Sequence, residues 1–384
     1  MSTLHETDQA GGTDGAPGRP RIGVISLRGT DQRVNASAYF IRRSLDRWVG
    51  ATTHLGDRFK LPFFGERIAR WSGRVSEEVY LGRAYRHLQR APQDLLFGLY
   101  SGSTLAMLEP TSTPMAYVTD GAAHDLVHTY PQFTHLSKQR IAEILRLEEE
   151  GVARCEMIVT HTQWAARSLI EKAGAAPEKV VVAAPGIDPE NIIADLEPTP
   201  IDPCGTLEAV FVGRAWERKG LPQALAAIEL LNSRGIPAHI TVLGCTPPEG
   251  ILTEHSTCLG PFNPNNVEEF ERYQKVLIAA HVHLLPSFAE CFGVATAEAG
   301  AYFTPSIVTE VQGLPETVIH GETGAVISME EDVVEALAEV MAGWYAEPLE
   351  HLRMCRGVRR DVEERLNWDV WGRTVAREVG ERFP

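Results

Sequence analysis

The chain has 384 residues, of which 44% are hydrophobic and 23% charged, values typical of a globular protein with a sizeable core. Its formal net charge of −15 argues against a nucleic-acid partner, because nucleic-acid binders usually present a basic face. No apolar run approaches the roughly 18 residues that span a bilayer, and the six cysteines lack the spacing of a zinc site or a disulfide framework. We therefore expect a cytoplasmic protein of two ordinary domains.

The first half of the chain alternates short apolar strands with amphipathic helices, the pattern of a parallel sheet covered by helices. Residues 1–19 come before this pattern; they are polar and glycine-rich, which predicts a disordered tail. The elements expected next are strands at Arg21–Ser26, Thr52–Leu55, Asp94–Tyr100, Met115–Thr119, Met157–Thr160 and Val180–Ala184, and helices at Ala36–Val49, Ser137–Gly151 and Gln163–Ala173. Together they predict a Rossmann-like domain over residues 20–186.

A second alternating series follows a proline-rich break, which predicts a linker at residues 187–205. Its predicted strands are Leu207–Val212, His239–Leu243, Val282–Leu285 and Ser306–Thr309, and its helices are Leu221–Arg234, Asn266–Ala280 and Glu331–Tyr345. They predict a second Rossmann-like domain over residues 206–365, with the closing residues 366–384 left as a final helix. Ligands of open parallel sheets bind beyond the carboxyl ends of the strands, so the cleft between the domains is the expected site.

The most informative segment of the second half is Pro286–Gly324, where Glu290 and Glu298 flank a loop that leads from a strand into an apolar helix. Such a loop presents free N–H groups that can hold a diphosphate. A carboxylate only accepts hydrogen bonds, and its two oxygens suit neighbouring hydroxyls of a ribose or a hexose. The segment predicts a pocket for a sugar joined to a phosphate, although Glu298 could instead be a carboxylate that favours the positive end of a helix.

A second loop, Gly213 to Gly220, follows the strand Leu207–Val212 and carries Arg214 and Lys219. Arginine can grip a phosphate with two donors and lysine supplies a mobile point charge. For a lone pair of cations, solvated surface charges at a helix start would be the better interpretation. Together with the glutamate pair, they favour a phosphate site.

The two loops, with Glu310–Gly324 (EVQGLPETVIHGETG) after them, resemble the retaining nucleotide-sugar glycosyltransferases of the GT-B fold, family four. The resemblance covers about residues 20–380, and its motifs are specific in combination. It implies an α/β fold of two Rossmann-like domains whose parallel sheets face each other across a cleft. The amino-terminal domain would bind the acceptor, the carboxyl-terminal domain the nucleotide sugar, and the final helix would cross back to the first domain.

The same resemblance implies roles for individual residues. Arg214 and Lys219 would bind the donor diphosphate, Glu298 the ribose hydroxyls and Glu290 the hydroxyls of the transferred sugar. The remaining donor-binding candidates are Gly213, Gly244, Phe262, Cys291, Phe292, Gly293 and Val294. Cys291 has no partnered base in the sequence, so we interpret it as a small pocket residue and not as a nucleophile.

The first domain is harder to interpret. The loop Leu27–Thr30 lacks the paired glycines that many relatives carry after the first strand, which leaves any role carried over to it in doubt. The dipeptide Thr119-Asp120 resembles a subgroup that uses it in place of a histidine. Asp120 is therefore our first candidate for contacting the transferred sugar or the acceptor, and His124 the second. Asp120 could equally cap the following turn.

Residues 58–90 are locally basic and contain aromatic residues within an acidic chain. Such a stretch could lie on an anionic membrane, as in relatives that glycosylate lipids. Solvated helices that line the cleft explain it as well, so membrane contact is not favoured.

We expect metal-independent transfer of a hexose, with retention of configuration, from a nucleoside diphosphate sugar to a hydroxyl or amine of an unidentified small-molecule, glycan or lipid-linked acceptor. The donor is a co-substrate, and no cofactor is expected. Carbohydrate or secondary-metabolite biosynthesis is the expected context, and a homodimer is left open. Two alternatives remain: a nucleotide-sugar epimerase or hydrolase on the same fold, and a non-catalytic protein that binds sugar nucleotides. The nucleobase, the sugar and the acceptor are not defined by these motifs.

Overall fold

Two six-stranded parallel sheets organise the protein. The computed structural model describes residues 19–26, 36–55 and 84–384. The strands of the first sheet are β1 (Arg21–Ile25), β2 (Ala51–His54), β3 (Leu95–Leu99), β4 (Met115–Thr119), β5 (Met157–Thr160) and β6 (Val180–Val182). Those of the second are β7 (Leu207–Val212), β8 (Ala238–Leu243), β9 (Ser256–Gly260), β10 (Val282–Leu285), β11 (Ser306–Thr309) and β12 (Gly324–Ile327). Most of these strands are buried runs of β-branched and aliphatic residues, as expected when helices cover both faces.

In each sheet there is one point at which the connections that follow two neighbouring strands run toward opposite edges of the sheet. The orders are β2-β1-β3-β4-β5-β6 and β12-β11-β10-β7-β8-β9. In the second sheet the chain runs outward from β7 to β9 and then returns to place β10 on the other side of β7. The loops after β7 and β10 therefore separate from one another and leave a crevice at the carboxyl edge, which is where open parallel sheets bind ligands.

The helices of the first domain are α1 (Ala36–Trp48), α2 (Gly102–Met107), α3 (Ala123–Thr129), α4 (Lys138–Arg154) and α5 (Gln163–Lys172). Those that follow are α6 (Leu221–Ser233), α7 (Val267–Ala279), α8 (Ala295–Gly300), α9 (Val333–Ala346), α10 (Pro348–Glu364) and α11 (Trp368–Arg382). Strands β9 and β12 and helices α2, α3 and α10 were not expected from the sequence. Strand β9 is an edge strand with little burial, and α10 has a mostly polar surface, so neither carries a strong hydrophobic pattern.

The last helix lies against the first sheet. Trp368 and Trp371 are buried in a cluster with residues of β1, β3 and α1, and the Ser44 hydroxyl donates to the Trp368 carbonyl oxygen at 3.1 Å. At the start of the proline-rich segment, the Ile187 N–H donates to the Leu366 carbonyl oxygen at 3.1 Å. The chain therefore crosses from one domain to the other twice, and the two crossing segments lie side by side.

Several sequence predictions fall outside the described residues: the tail at 1–18, the loop Leu27–Thr30, and the basic stretch from 58 to 83. Within the described part of the chain, no helix is both long enough and apolar enough to cross a membrane.

Candidate active site

Two loops of the second domain meet at the crevice between β7 and β10. The first, residues 213–220, follows β7, and the second, residues 286–294, follows β10. They are joined through their backbones, since the Phe288 N–H donates to the Arg218 carbonyl oxygen at 2.8 Å. The topology of the sheet therefore brings together two motifs that lie about 70 residues apart in the chain.

Lys219 and Glu290 form the centre of this crevice. The Lys219 Nζ lies 3.0 Å from Glu290 Oε2, and both side chains are about 85% buried, with 15% and 13% of their surfaces exposed. Arg218 contacts the same oxygen through Nη1 at 3.3 Å. Two cations thus share one carboxylate where the two loops meet.

The stem of Lys219 crosses the end of β7 over Gly213. A Cβ at position 213 would lie 2.4 Å from Lys219 Cδ, so any side chain there would displace the lysine. Gly244, which follows β8, lies against the Gly213 backbone on the other side. Arg214 is exposed and, within the described ranges, forms no hydrogen bond or ion pair. Of the two cations predicted from this loop, the structure brings Lys219 into contact with Glu290 and leaves Arg214 unpaired.

Glu298 lies in the first turn of α8, within the field of Lys219. Burial raises the pKa of Glu298, whereas a hydrogen bond from the Tyr273 hydroxyl, at 2.9 Å, and the positive charge of Lys219 oppose this rise. The Tyr273 ring stacks on Phe262 with 4.3 Å between ring centroids. Phe262, Glu298 and Lys219 therefore border one continuous region beside β7 to β9.

The segment Cys291–Val294 closes the crevice toward the first domain. Cys291 and Phe292 are buried, Gly293 follows, and Val294 is exposed. Burial, with the negative charges of Asp120 and Glu290, raises the pKa of the Cys291 thiol well above its usual range. The thiol is therefore neutral at ordinary pH, which agrees with a pocket residue and not with a nucleophile.

Asp120 faces the crevice from the first domain. It follows β4, is half-buried, and lies close enough to Glu290 for the two charges to interact. Burial, and to a lesser extent the charge of Glu290, raises the pKa of Asp120 from 3.8 to about 6. The turn after it is closed by Thr119, whose hydroxyl donates to the Gly121 carbonyl oxygen at 2.8 Å.

His124 points toward helix α4. Its Nδ1 lies 3.7 Å from Glu148 and its Nε2 3.4 Å from Glu149. The buried Glu148 carboxylate also accepts the Ala123 N–H at 2.7 Å, at the start of α3, where the capping position, Ala122, has no side-chain acceptor. Of the two candidates from this loop, Asp120 is thus placed beside Glu290 and His124 beside α4.

Four residues at the boundary of the domains had not been selected from the sequence. Arg218 contacts Glu290, and its guanidinium lies over the Tyr130 ring at 5.0 Å from the centroid. The Glu316 carboxylate accepts the N–H groups of Gln163 and Trp164, both at 2.7 Å. His161 is buried, with its ring edge-on to Phe292 at 6.3 Å. Arg218 could have been found beside Lys219, and Glu316 lies within the motif Glu310–Gly324, but Tyr130 and His161 carry no local signal.

Comparison with known sequences gives matches to glycosyltransferases. The profile of the family described as Glycosyl transferases group 1 matches residues 206–347. A D-inositol 3-phosphate glycosyltransferase of Rhodococcus erythropolis is 33% identical over 198 residues, which are 47% of this chain and 44% of the relative. One of Corynebacterium glutamicum is 26% identical over 271 residues, which are 66% of this chain and 63% of that relative. The chain spans about half the length of the relatives it matches.

Solved structures with a similar fold align with nearly the whole chain. Sucrose-phosphate synthase from Thermosynechococcus elongatus superposes with a TM-score of 0.73 at 16% identity, covering 95% of this chain and 99% of that one. Anabaena Alr3699/HepE, solved in complex with UDP and glucose, gives 0.64 at 13% identity, covering 94% and 100%. The architecture is the two-domain α/β GT-B fold, which confirms the fold predicted from the sequence. At these identities the likeness defines the fold alone.

Proposed function

We propose that the protein is a glycosyltransferase that moves a hexose from a nucleoside diphosphate sugar to a hydroxyl or amine of an acceptor, with retention of anomeric configuration. The observation that carries the proposal is Lys219, which lies 3.0 Å from Glu290 at the crevice and acts electrostatically on Glu298. The matches to group 1 glycosyl transferases and the UDP bound to a protein of the same fold support it.

The charges suit a donor that is anionic in the middle and rich in hydroxyls at both ends. In the proposed complex Lys219 and the exposed Arg214 bind the diphosphate, Glu298 accepts from the ribose, and Glu290 accepts from the sugar. Negative charge builds up on the diphosphate as the bond to the sugar breaks. Cations in a partly buried crevice stabilise that charge more strongly than water would.

Asp120 is placed to act on the acceptor side. We propose that its carboxylate orients the attacking hydroxyl or the sugar, and that the leaving phosphate takes the acceptor proton as the new bond forms on the same face. No covalent intermediate with Glu290 or Asp120 is needed for this course, and the cations take the part that a metal would otherwise play.

Binding is tested first, by thermal shift of the wild-type protein with UDP, GDP, ADP and TDP. A ligand at about 100 times its dissociation constant adds about 2.7 kcal/mol of stability. The diphosphate that binds then selects the sugar donors, which are incubated with and without a panel of sugar and polyol acceptors, including phosphorylated ones. The anomeric proton of the product, observed by NMR, reports retention.

Variants then locate the activity. Lys219→Ala should lower turnover by roughly 100-fold, the scale of losing one preorganised charge donor. Glu290→Gln should lower turnover much more than diphosphate affinity. Lys275→Ala is the matched control, because Lys275 is exposed in the same domain on α7. Unchanged kinetics in the Lys219 and Glu290 variants would refute the site, and rapid loss or epimerisation of the donor sugar without acceptor would replace transferase by hydrolase or epimerase.

A further inference from the structure

Arg218 holds the loop that carries Glu290 at three successive residues. Its carbonyl oxygen accepts the Phe288 N–H at 2.8 Å, its Nη1 donates to the Ala289 carbonyl oxygen, and the same Nη1 lies 3.3 Å from Glu290 Oε2. Lys219, by contrast, is bonded to this loop only through the Glu290 carboxylate. The two neighbouring cations therefore differ in kind: one is fixed to the loop backbone and the other only to a side chain.

This difference matters once an anion enters. A diphosphate carries more charge than one carboxylate and draws the mobile ammonium of Lys219 toward itself. The Arg218 guanidinium cannot follow in the same way without giving up its bond to the Ala289 carbonyl oxygen. Glu290 then keeps one cationic partner, at the geometry already present in the structure.

The first domain completes the support. The Tyr130 ring lies under the Arg218 guanidinium at 5.0 Å, a distance at which a cation is attracted to an aromatic face. The Tyr130 hydroxyl lies 3.2 Å from Cys291 Sγ, the residue after Glu290. Tyr130 follows helix α3 of the first domain, so a contact between the domains holds both Arg218 and the loop that Arg218 grips.

We propose that Arg218 is a positioning residue that keeps Glu290 aimed at the transferred sugar while Lys219 engages the diphosphate, and that Tyr130 couples this alignment to the closed arrangement of the two domains. The inference rests on the proposed function, because it assigns Glu290 to the sugar. It adds a residue that contacts neither the diphosphate nor the reacting atoms.

The test separates turnover from nucleotide binding in the full-length protein. UDP affinity is measured by calorimetry, and turnover as release of UDP from UDP-glucose, or with the corresponding pair for another base if the binding screen selects it. Arg218→Met should lower kcat by roughly 10- to 100-fold, the cost of a misplaced group, with diphosphate affinity changed by less than about 3-fold. Arg218→Lys should recover only part of kcat, because lysine keeps the charge but loses the planar fork and the stack.

The control is Arg234→Met, which breaks an ion pair with Glu335 elsewhere in the same domain and should change neither quantity. Tyr130→Phe should keep most of the turnover, whereas Tyr130→Leu should lower it. Arg218→Met and Tyr130→Leu together should cost clearly less than the product of the two single losses, because the two residues act through one contact.

Three results would overturn the proposal. If Arg218→Met weakens UDP binding as much as it lowers kcat, Arg218 binds the diphosphate itself. If kcat is unchanged in a folded Arg218→Met variant, Arg218 has no such positioning role. If the losses with Tyr130→Leu multiply, Tyr130 does not act through Arg218, and the coupling to the domain arrangement is refuted. A wild-type protein that binds no nucleoside diphosphate would instead remove the proposed function, and this inference with it. Melting curves of each variant without ligand identify loss of fold, and Arg218→Lys then decides the question.

Discussion

Replacing Glu148 with glutamine should remove the contribution of this carboxyl group to the pH dependence of folding stability. The Glu148 carboxylate is buried below the loop that carries Asp120 and accepts the Ala123 N–H at 2.7 Å. Burial raises the pKa of Glu148 from 4.5 to about 7, and the charges of Asp125 and Glu149 add to the rise. The bond from Ala123 opposes it, and His124 Nδ1, at 3.7 Å, is the nearby group that could carry a positive charge.

The sign follows from the protons bound in each state. Between the two pKa values the folded protein keeps the Glu148 proton and the unfolded chain has lost it, so rising pH favours the unfolded state. The stability linked to the protonated form is complete below about pH 4.5 and is lost as the pH rises through about 7. At 1.36 kcal/mol for each pKa unit, the loss amounts to about 3 kcal/mol.

Glutamine stays neutral at every pH, and its carbonyl oxygen can still accept the Ala123 N–H. The free energy of unfolding of Glu148→Gln, minus that of the wild type, should therefore rise by about 3 kcal/mol between about pH 4.5 and about pH 8. The assay is urea unfolding followed by tryptophan fluorescence over that range. Glu149→Gln is the matched control, since Glu149 is next in the chain and half exposed, and its difference from the wild type should stay small. A Glu148→Gln curve parallel to that of the wild type would refute the reasoning.

Three other predictions concern the site and its frame. Turnover should rise about tenfold for each pH unit below about 6, if the ionised form of Asp120 is the one that orients the substrate. A pH profile of Asp120→Asn with the same inflection would argue against this assignment. Gly220→Ala should lower the free energy of unfolding by at least about 1–3 kcal/mol, because φ at Gly220 is +78° and a Cβ there would lie 2.0 Å from the Pro286 carbonyl oxygen. Gly343→Ala is the control: this glycine lies in α9 with no atom near the new Cβ, so the substitution should stabilise the protein by about 0.5–1 kcal/mol. Equal melting temperatures of the two variants would contradict both expectations. Glu316→Ala removes the acceptor of two N–H groups across the domain boundary, so it should enlarge the radius of gyration measured by X-ray scattering without ligand. The control Glu310→Ala, at an exposed residue, should leave the radius of gyration unchanged. Identical scattering curves for the two variants would show that other contacts hold the two domains together.

The fold was predictable because its signal is local. Each buried strand is a short apolar run, and the alternation with amphipathic helices requires crossover connections and parallel strands. The elements that were missed show the limit of this signal. Strand β9 has one open edge and mostly half-exposed residues, so pairing with β8 determines it more than its own side chains do. Helix α10 has a narrow apolar stripe that packs against α8 and α9. The positions of those two helices are known only from the folded structure, so the sequence alone does not indicate this packing.

The candidate site was predictable only where its residues share a loop with a recognisable motif. Lys219, Glu290 and Glu298 lie in such loops, and the structure brings Lys219 to both glutamates. Arg214 belongs to the same loop motif as Lys219, but its side chain is exposed. Motif spacing fixes the path of the backbone and leaves a long side chain free to turn into solvent. Spacing alone could not show which cation holds the carboxylate.

The residues that sequence reasoning missed have one physical property in common: each acts across the boundary between the domains. Glu316 caps α5 from the second domain, with both N–H groups at 2.7 Å, and Tyr130 lies under Arg218 from the first. Their partners are far away in the chain, for example 153 residues for Glu316 and Gln163, so no periodicity links them. These contacts span the cleft in the arrangement described, in which Asp120 also lies near Glu290. The geometry that we assign to catalysis therefore depends on residues that contribute contacts between the two domains and not chemistry at the substrate.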